Sequence, residues 1–227
     1  MNNNVRDLPK AYRCIDTEQW VRKVTFDWFK SFSNPTYRFG VKVDVTDVIA
    51  FSHKTDTSFF INFLYAVSKA FNEVEALRLR YIDEKVVLFN RIDPTFTVKT
   101  SDGSFNNAGF PYTEPYEDFY ARAEEEVARR SGLTERIGSY NGEDYGVFYG
   151  SCITSIDLES YDEPLNVNDP NSLNVPRVFW DRYRAENGRY VLLLSVTVSH
   201  ILVDGEELSM AINLIRDYCR DFQAAIR

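Results

Sequence analysis

The chain holds two histidines, His53 and His200, so any chemistry that needs an imidazole has only two candidates. His53 stands beside Lys54 in a polar stretch, and we expect it at the surface. His200 closes an apolar stretch and is followed four residues later by Asp204. A neutral imidazole can accept a proton from a hydroxyl or a thiol near pH 7. The local pattern fits a general base and, equally well, a histidine whose hydrogen bonds are satisfied in the core.

Sequence signatures of several other chemistries are absent. The chain has no His-Glu-x-x-His, no phosphate-binding glycine loop and no Gly-x-Ser-x-Gly segment. Its three cysteines, Cys14, Cys152 and Cys219, lie far apart without a Cys-x-x-Cys spacing. This usage suits a reducing compartment and argues against a disulfide framework or a structural zinc site, so we predict no metal. We expect Cys152 to be a small core residue.

The elements that must position His200 follow from hydrophobic periodicity and length. The pattern predicts helices over 17–32, 58–74, 115–131 and 206–226. It predicts strands over 37–45, 145–158, 175–183 and 189–200, with a polar loop over 162–174. It also predicts a pair of strands over 77–82 and 85–91, to which 96–99 adds a third. Because helices and strands follow one another without regular alternation, we expect an α+β fold. We expect one domain over 1–227, with helices packed on a mixed, mostly antiparallel sheet.

The net charge and the length of the apolar stretches argue against nucleic-acid and membrane partners. Lys and Arg total 26 against 34 Asp and Glu, which gives a net charge of −8 and argues against a general nucleic-acid binder. The amino terminus lacks the apolar segment of a secretory signal, and no apolar stretch approaches the roughly 18–20 residues that span a bilayer. We expect a cytoplasmic protein without a membrane partner. The run Glu124–Glu126, four residues before Arg129 and Arg130, is expected to form a solvated helix face.

Three ordered segments give a family resemblance. His200, Asp204 and Gly205 match the His-x-x-x-Asp-Gly motif of the CoA-dependent acyltransferases. Residues 20–23, Trp-Val-Arg-Lys, resemble the Trp-x-Arg-Lys/Arg segment of the chloramphenicol acetyltransferase family, and residues 154–158, Thr-Ser-Ile-Asp-Leu, resemble its Thr-Ser-Phe-Asp-Leu segment. Residues 176–205 align with that family without a gap. The chain therefore resembles the chloramphenicol acetyltransferase family over nearly its whole length.

The resemblance implies a two-layer α/β sandwich and a homotrimer with active sites between subunits. It implies acetyl-CoA as a co-substrate, with no permanently bound cofactor. His200 would be the general base that deprotonates an acceptor hydroxyl, which attacks the thioester directly. Ser155 would donate a hydrogen bond to the tetrahedral oxyanion and would not be a nucleophile. Asp204 and Arg22 would form a buried ion pair, so that Arg22, and not the imidazole, is the partner of Asp204.

Several positions depart from the family pattern. Phe29 stands where the family has a tyrosine that contacts the antibiotic, and Phe179 where it has a threonine that orders a water. Loss of two hydroxyls makes the acceptor pocket more apolar, and buried polar contacts discriminate strongly between substrates. Tyr183 and Arg182 match a tyrosine and a lysine that the family uses near CoA. Tyr183 fits a ring in the core equally well.

Three functions remain open at this level. The first is an acetyl-CoA-dependent O-acetyltransferase that acts on chloramphenicol or on another hydroxyl compound. The second is a trimeric ligand-binding relative that keeps the fold without turnover. An acyltransferase of the dihydrolipoamide type shares the histidine motif, but we see no lipoyl or tethering segment and rank it lowest.

Overall fold

The computed structural model describes residues 11–133, 145–169 and 172–227. Its helices are α1 (Lys23–Phe29), α2 (Thr46–Thr55), α3 (Phe59–Glu73), α4 (Tyr116–Ser131), α5 (Gly205–Arg220) and α6 (Phe222–Ala225). Its strands are β1 (Tyr12–Cys14), β2 (Thr36–Asp44), β3 (Leu79–Ile82), β4 (Lys85–Phe89), β5 (Asp93–Lys99), β6 (Phe105–Gly109), β7 (Val147–Ile153), β8 (Arg177–Asp181), β9 (Arg184–Glu186) and β10 (Arg189–Ser199). No helix within these three ranges is long and apolar enough to cross a bilayer.

The strands form one large mixed sheet and one small sheet. The large sheet has seven strands in the order β2-β10-β8-β7-β5-β6, with β9 paired to β10, and the small sheet has the order β1-β4-β3. Strand β10 runs antiparallel to β2 and β8, whereas β7 runs parallel to both β5 and β8. The observed architecture is the expected α+β sandwich with a mixed, mostly antiparallel sheet.

Aromatic contacts join the helices to one face of the large sheet. Helix α3 begins after Ser58, whose side chain accepts the Ile61 N–H at 3.5 Å. From α3, Phe63 packs edge-on against Trp180 of β8 at 5.2 Å between ring centroids. Fully burying one such side chain stabilises the fold by about 1.5–3 kcal/mol. This helical layer holds the strands that carry the candidate site residues in fixed register.

The other face of the large sheet, called the polar face below, carries polar side chains as well as aromatic rings. Thr197 of β10 lies opposite Arg177 of β8, which in turn lies opposite Tyr149 of β7. The segment that follows β7 crosses this face, and its Tyr161 ring stacks on Phe179 at 3.6 Å between centroids. The two faces therefore differ in chemistry because alternate strand residues point to opposite sides.

Several predicted elements need correction. Helix α1 is limited to Lys23–Phe29, because residues 17–22 form turns. The terminal helix is interrupted at Asp221, whose side chain accepts the Ala224 N–H and starts α6. Strand β6 was not predicted, and β5 belongs to the large sheet. Residues 1–10, on which the expectation about a signal segment rests, and residues 170–171 of the predicted loop lie outside the described residues.

The expectation of a solvated face for Glu124–Glu126 is wrong for its last residue. Glu126 packs against β6, where its Oε1 accepts the Gly109 N–H at 3.4 Å. Its carboxylate also pairs with Arg130 at 2.7 Å, and both side chains are more than 90% buried. Buried charges persist when they are paired and hydrogen-bonded. Consecutive helix residues point about 100° apart, so three glutamates in a row span about 200° and do not share one narrow solvated face.

We expect Glu126→Ala to lower the free energy of unfolding by about 3–5 kcal/mol, because it leaves the buried Arg130 charge without its partner. The exposed Glu125→Ala, the matched control, should change it by less than about 0.5 kcal/mol. Urea titration followed by far-ultraviolet circular dichroism measures both values. Equal shifts in the two variants would contradict the buried pair.

Candidate active site

The turn after β10 carries His200 and fixes its backbone. The His200 N–H donates to the Pro35 carbonyl at 2.9 Å, and the Leu202 and Val203 N–H groups both donate to the Ser199 carbonyl. Ile201 and Leu202 are buried, so the three apolar residues predicted after the histidine anchor the turn in the core. The His200 side chain keeps about a third of its surface exposed.

Two aromatic rings enclose the His200 imidazole. Phe29 stacks on it at 3.9 Å between centroids with an interplanar angle of 10°, and Tyr37 lies at 4.6 Å on a tilt of 38°. The Tyr37 hydroxyl donates to the Val203 carbonyl at 3.3 Å. Burial raises the pKa of the Tyr37 phenol, so the hydroxyl stays protonated and keeps this hydrogen bond. The imidazole plane is therefore set by packing on the ring of Phe29.

Arg22 clamps the turn that holds the imidazole. Its Nη2 pairs with Asp204 Oδ1 at 2.5 Å and its Nε with Oδ2 at 3.2 Å, which is a bidentate arrangement. The same guanidinium donates to the Ile201 carbonyl at 3.2 Å and to the His200 carbonyl at 3.3 Å. The predicted ion pair is present, but it is only partly buried: Asp204 keeps 37% of its side-chain surface, because it lies at the start of α5.

The imidazole has one shielded nitrogen. His200 Nδ1 is inaccessible to solvent and lies 3.2 Å from Asp204 Oδ1, but the two atoms are not aligned for a hydrogen bond. Both carboxylate oxygens of Asp204 already accept hydrogen bonds from Arg22. Nε2 is therefore the nitrogen that can exchange a proton with a bound molecule.

Ser155 lies in a second group, in the segment that leaves β7. It is exposed, and its neighbours are tied to β8. Asp157 Oδ1 accepts from Arg182 Nε at 3.0 Å, and the Leu158 N–H donates to Asp181 Oδ2 at 2.9 Å. Asp181 is almost fully buried and also accepts the Leu193 N–H at 2.6 Å. Sequence analysis missed this anchor because one aspartate in a strand has no spacing signature.

Tyr183 and Arg182 also belong to this second group. The Tyr183 ring meets Phe59, at the start of α3, at 4.9 Å between centroids, and Tyr190 at 5.8 Å. Tyr183 is half-buried at the edge of the core, and Arg182 keeps about half of its side-chain surface. Arg182 thus reaches Asp157, two residues from Ser155, whereas the Tyr183 ring packs against Phe59 and Tyr190.

Strand register separates the two groups within one chain. Thr197 near the end of β10 pairs with Arg177 at the start of β8, whereas Ile153 at the end of β7 pairs with Asp181 at the end of β8. These two rows are four residues apart along β8, which is about 13 Å. His200 follows one row and Ser155 follows the other, so the two side chains lie at opposite ends of the sheet.

A cavity of 550 Å³ opens on the polar face of the sheet. Its walls come from β5, β6, β7 and β8 and from the segment after β7, with Thr97, Asn107, Ser151, Phe179, Tyr161 and Glu163 among the lining residues. Phe179, expected in an acceptor pocket, lines it, but Phe29 does not. The predicted polar loop thus contributes Glu163 and Pro164 to a cavity wall, and its neighbour Tyr161 lines the same wall, which periodicity gave no reason to expect.

The site contains no candidate for thiol or metal chemistry in the part of the chain that the structure describes. Burial raises the pKa of the Cys152 thiol to about 12, so it stays protonated near neutral pH. No group of three or more His, Cys, Asp or Glu side chains in the described residues could hold a metal ion. His53 is exposed, as expected.

The fold defines the class of protein. A solved dihydrolipoamide acetyltransferase from Azotobacter vinelandii superposes with a TM-score of 0.64 at 15% identity, covering 91% of this chain and 90% of its own, and this likeness shows the fold alone. A solved chloramphenicol acetyltransferase superposes with a TM-score of 0.86 at 27% identity, covering 92% of this chain and 100% of its own. The architecture is that of the CoA-dependent acyltransferases.

Sequence comparison identifies the family within that class. The sequence model of the chloramphenicol acetyltransferase family matches residues 10–216. Chloramphenicol acetyltransferases from Escherichia coli and Vibrio anguillarum are 23% and 27% identical to this chain; the alignments cover 94% and 93% of this chain and 96% of each relative. The chain belongs to the chloramphenicol acetyltransferase family and is an acetyltransferase.

We expect Asp204→Asn to lower the free energy of unfolding by about 1–3 kcal/mol, less than for a fully buried pair because Asp204 is partly exposed. The control is Asp162→Asn, which removes the exposed pair with Arg38 and should cost less than about 0.5 kcal/mol. Urea unfolding of both variants measures the difference. A cost for Asp204→Asn as small as that of the control would contradict the clamp.

Proposed function

We propose that the chain is an acetyl-CoA-dependent O-acetyltransferase in which His200 is the general base and Ser155 the oxyanion donor. The observation that carries the proposal is the stacked imidazole, which has one shielded nitrogen and one free nitrogen on a clamped turn. A base held in this way loses little freedom when the acceptor binds. The family match supports the same reaction.

The chemistry needs no group beyond the two substrates and these side chains. His200 Nε2 takes the proton of the acceptor hydroxyl while the oxygen of that hydroxyl forms a bond to the thioester carbonyl carbon. The carbonyl π electrons move to the oxygen, and the Ser155 hydroxyl donates a hydrogen bond to that oxyanion. When the carbon–sulfur bond breaks, CoA leaves as a thiolate and takes the proton from the imidazolium. The products are the acetyl ester and free CoA.

In this proposal a complete site requires two subunits, because within one chain His200 and Ser155 lie at opposite ends of the large sheet. The exposed apolar side chains support such contacts. Val21, Val24 and Trp28 are 94%, 84% and 62% exposed on and beside α1, near His200. Ile153 and Ile156 are 38% and 53% exposed beside Ser155. Head-to-tail contacts between two different surfaces form a ring where the rotation between copies closes, and the family resemblance implies a homotrimeric ring.

Acetyl-CoA would bind on the Ser155 side. Arg182 offers a cation for its phosphates, and the Tyr183 ring offers an apolar surface beside Phe59. We place the acceptor in the 550 Å³ cavity, whose volume is within the range of small-molecule sites. Cys14, Cys152 and Cys219 are free thiols, which agrees with a cytoplasmic location, where acetyl-CoA is made available.

Chloramphenicol is the first acceptor to test, because the similar proteins are named chloramphenicol acetyltransferases. Wild-type protein should release CoA thiol when acetyl-CoA and chloramphenicol are both present, measured with a chromogenic thiol reagent. His200→Ala should abolish this release, and Ser155→Ala should lower kcat by about 100- to 1000-fold, the usual effect of losing an oxyanion donor. The control is His53→Ala, the same substitution at an exposed histidine, which should keep wild-type turnover.

Full activity of His200→Ala on every working acceptor would exclude the proposed base. Thiol release with other hydroxyl compounds but not with chloramphenicol would keep the reaction and change the acceptor. Saturable binding of acetyl-CoA without thiol release from any acceptor would favour the ligand-binding relative instead.

Mixing two inactive variants tests the shared site. His200→Ala and Ser155→Ala chains, carrying different tags, are co-expressed and assembled together. One kind of interface then contains an intact His200 and an intact Ser155, and random assortment in a ring should restore about one quarter of the wild-type activity. A site made within one chain would give no more than the mean of the two variants.

A further inference from the structure

The acceptor cavity contains a carboxylate that the proposed reaction does not use. Glu163 lies in its wall, in the segment that crosses the polar face of the sheet. Its Oε1 is inaccessible to solvent and makes no hydrogen bond with any residue in the described ranges. An ionised oxygen removed from water without a partner is costly, so such an atom at a cavity wall points to a partner that arrives with the ligand.

The nearby cations are already engaged with other groups. Arg177 also lines the cavity, but its Nη1 and Nη2 donate to the Val175 and Ser172 carbonyls at 3.0 Å each. Its guanidinium also lies 5.4 Å from the centre of the Tyr149 ring. Arg38 forms its ion pair with Asp162 at 2.5 Å. Among the described residues, the Glu163 carboxylate therefore has the positive charges of Arg177 and Arg38 in its surroundings but forms no ion pair with either.

The other residues that line the cavity indicate the chemistry of the rest of the ligand. Phe179 and Tyr161 stack on each other at 3.6 Å between centroids and give the cavity an aromatic side. Thr97 and Ser151 share one hydrogen bond at 3.3 Å, which leaves one hydroxyl proton of the pair available to a ligand. The cavity thus combines an apolar surface, hydroxyl groups and one unpaired carboxylate.

We infer that the acceptor is a hydroxyl compound that also carries a protonated amino group, bound by Glu163. The inference rests on the proposed function, since it names the class of acceptor for that same site. Glu163 is then a specificity residue: its carboxylate accepts a hydrogen bond from the ammonium while the hydroxyl of the same molecule is directed at His200. The ammonium has no free electron pair while it is held in this way, so acetyl transfer occurs at oxygen.

A matched pair of ligands tests the inference. Chloramphenicol is neutral, and its deacylated amine has the same aromatic diol with an ammonium group in place of the dichloroacetamide. Binding of each is measured by calorimetry, which requires no turnover, to wild-type protein, to Glu163→Gln and to Asp162→Asn. The last variant removes the neighbouring charge outside the cavity and is the control. Thiol release and mass analysis of the products are recorded in parallel.

We expect Glu163→Gln to lose affinity for the amine and not for chloramphenicol. Glu163→Gln should weaken binding of the amine by about 10- to 100-fold, the effect of one hydrogen bond between charged groups, and change chloramphenicol binding by less than about threefold. Asp162→Asn should change neither, and the product of the amine should be its O-acetyl ester.

Equal effects on the two ligands, no effect on either, or no binding of the amine at millimolar concentration would overturn the inference. Thiol release with chloramphenicol but not with the amine would overturn the inference and leave the proposed function intact. Selective binding of the amine without thiol release from either ligand would support the role of Glu163 as the residue that binds the ammonium group and would exclude these two ligands as acceptors.

Discussion

The four hydrogen bonds of the Arg22 guanidinium hold the site together. Two go to the Asp204 carboxylate and two go to the main-chain carbonyls of residues 200 and 201. They join the entry of α1 to the turn after β10. Because α1 also carries Phe29, the same clamp sets the ring that stacks on the imidazole. An arginine suits this place because its planar fork can serve a carboxylate and two carbonyls at once, which a lysine cannot.

Strand direction imposes the second constraint. Strands β7 and β8 are parallel and β10 is antiparallel to both, so the turn with His200 and the segment with Ser155 leave opposite ends of the sheet. A base and an oxyanion donor that act on the same carbonyl must lie within a few ångströms of it. In our proposal a second copy of the chain supplies what one copy cannot bring together, and the exposed apolar residues at both ends provide the contact surfaces.

Phe29 and Phe179, the two phenylalanines at positions where the family resemblance implies a hydroxyl, have different surroundings. Phe29 covers one face of the imidazole, whereas Phe179 stacks with Tyr161 in the cavity wall. Each of the two rings stacks on an aromatic partner. The polar contacts of this pocket come instead from Glu163, Thr97 and Ser151, and the proposed amine selectivity follows from that redistribution.

The sequence alone predicted much of the fold and named the two residues that we propose as the catalytic pair. Alternation along β2 and the long apolar run of α3 predicted their elements to within a few residues, because local periodicity reports which face is buried. The spacing of His200, Asp204 and Gly205, with the segments around Arg22 and Ser155, was sufficient for the family. These signals are local hydrophobic periodicity and short sequence motifs.

Only the tertiary structure decided what depends on register and on contacts distant in sequence. It placed Phe29 on the imidazole, turned Glu126 inwards against Gly109 of β6, and brought Asp181 under the segment of Ser155. It also turned a loop rich in Asp, Asn and Pro into a cavity wall that contains Glu163. None of these contacts leaves a spacing in the chain, since each joins residues by packing across strands or helices, and packing is fixed only when the whole core forms.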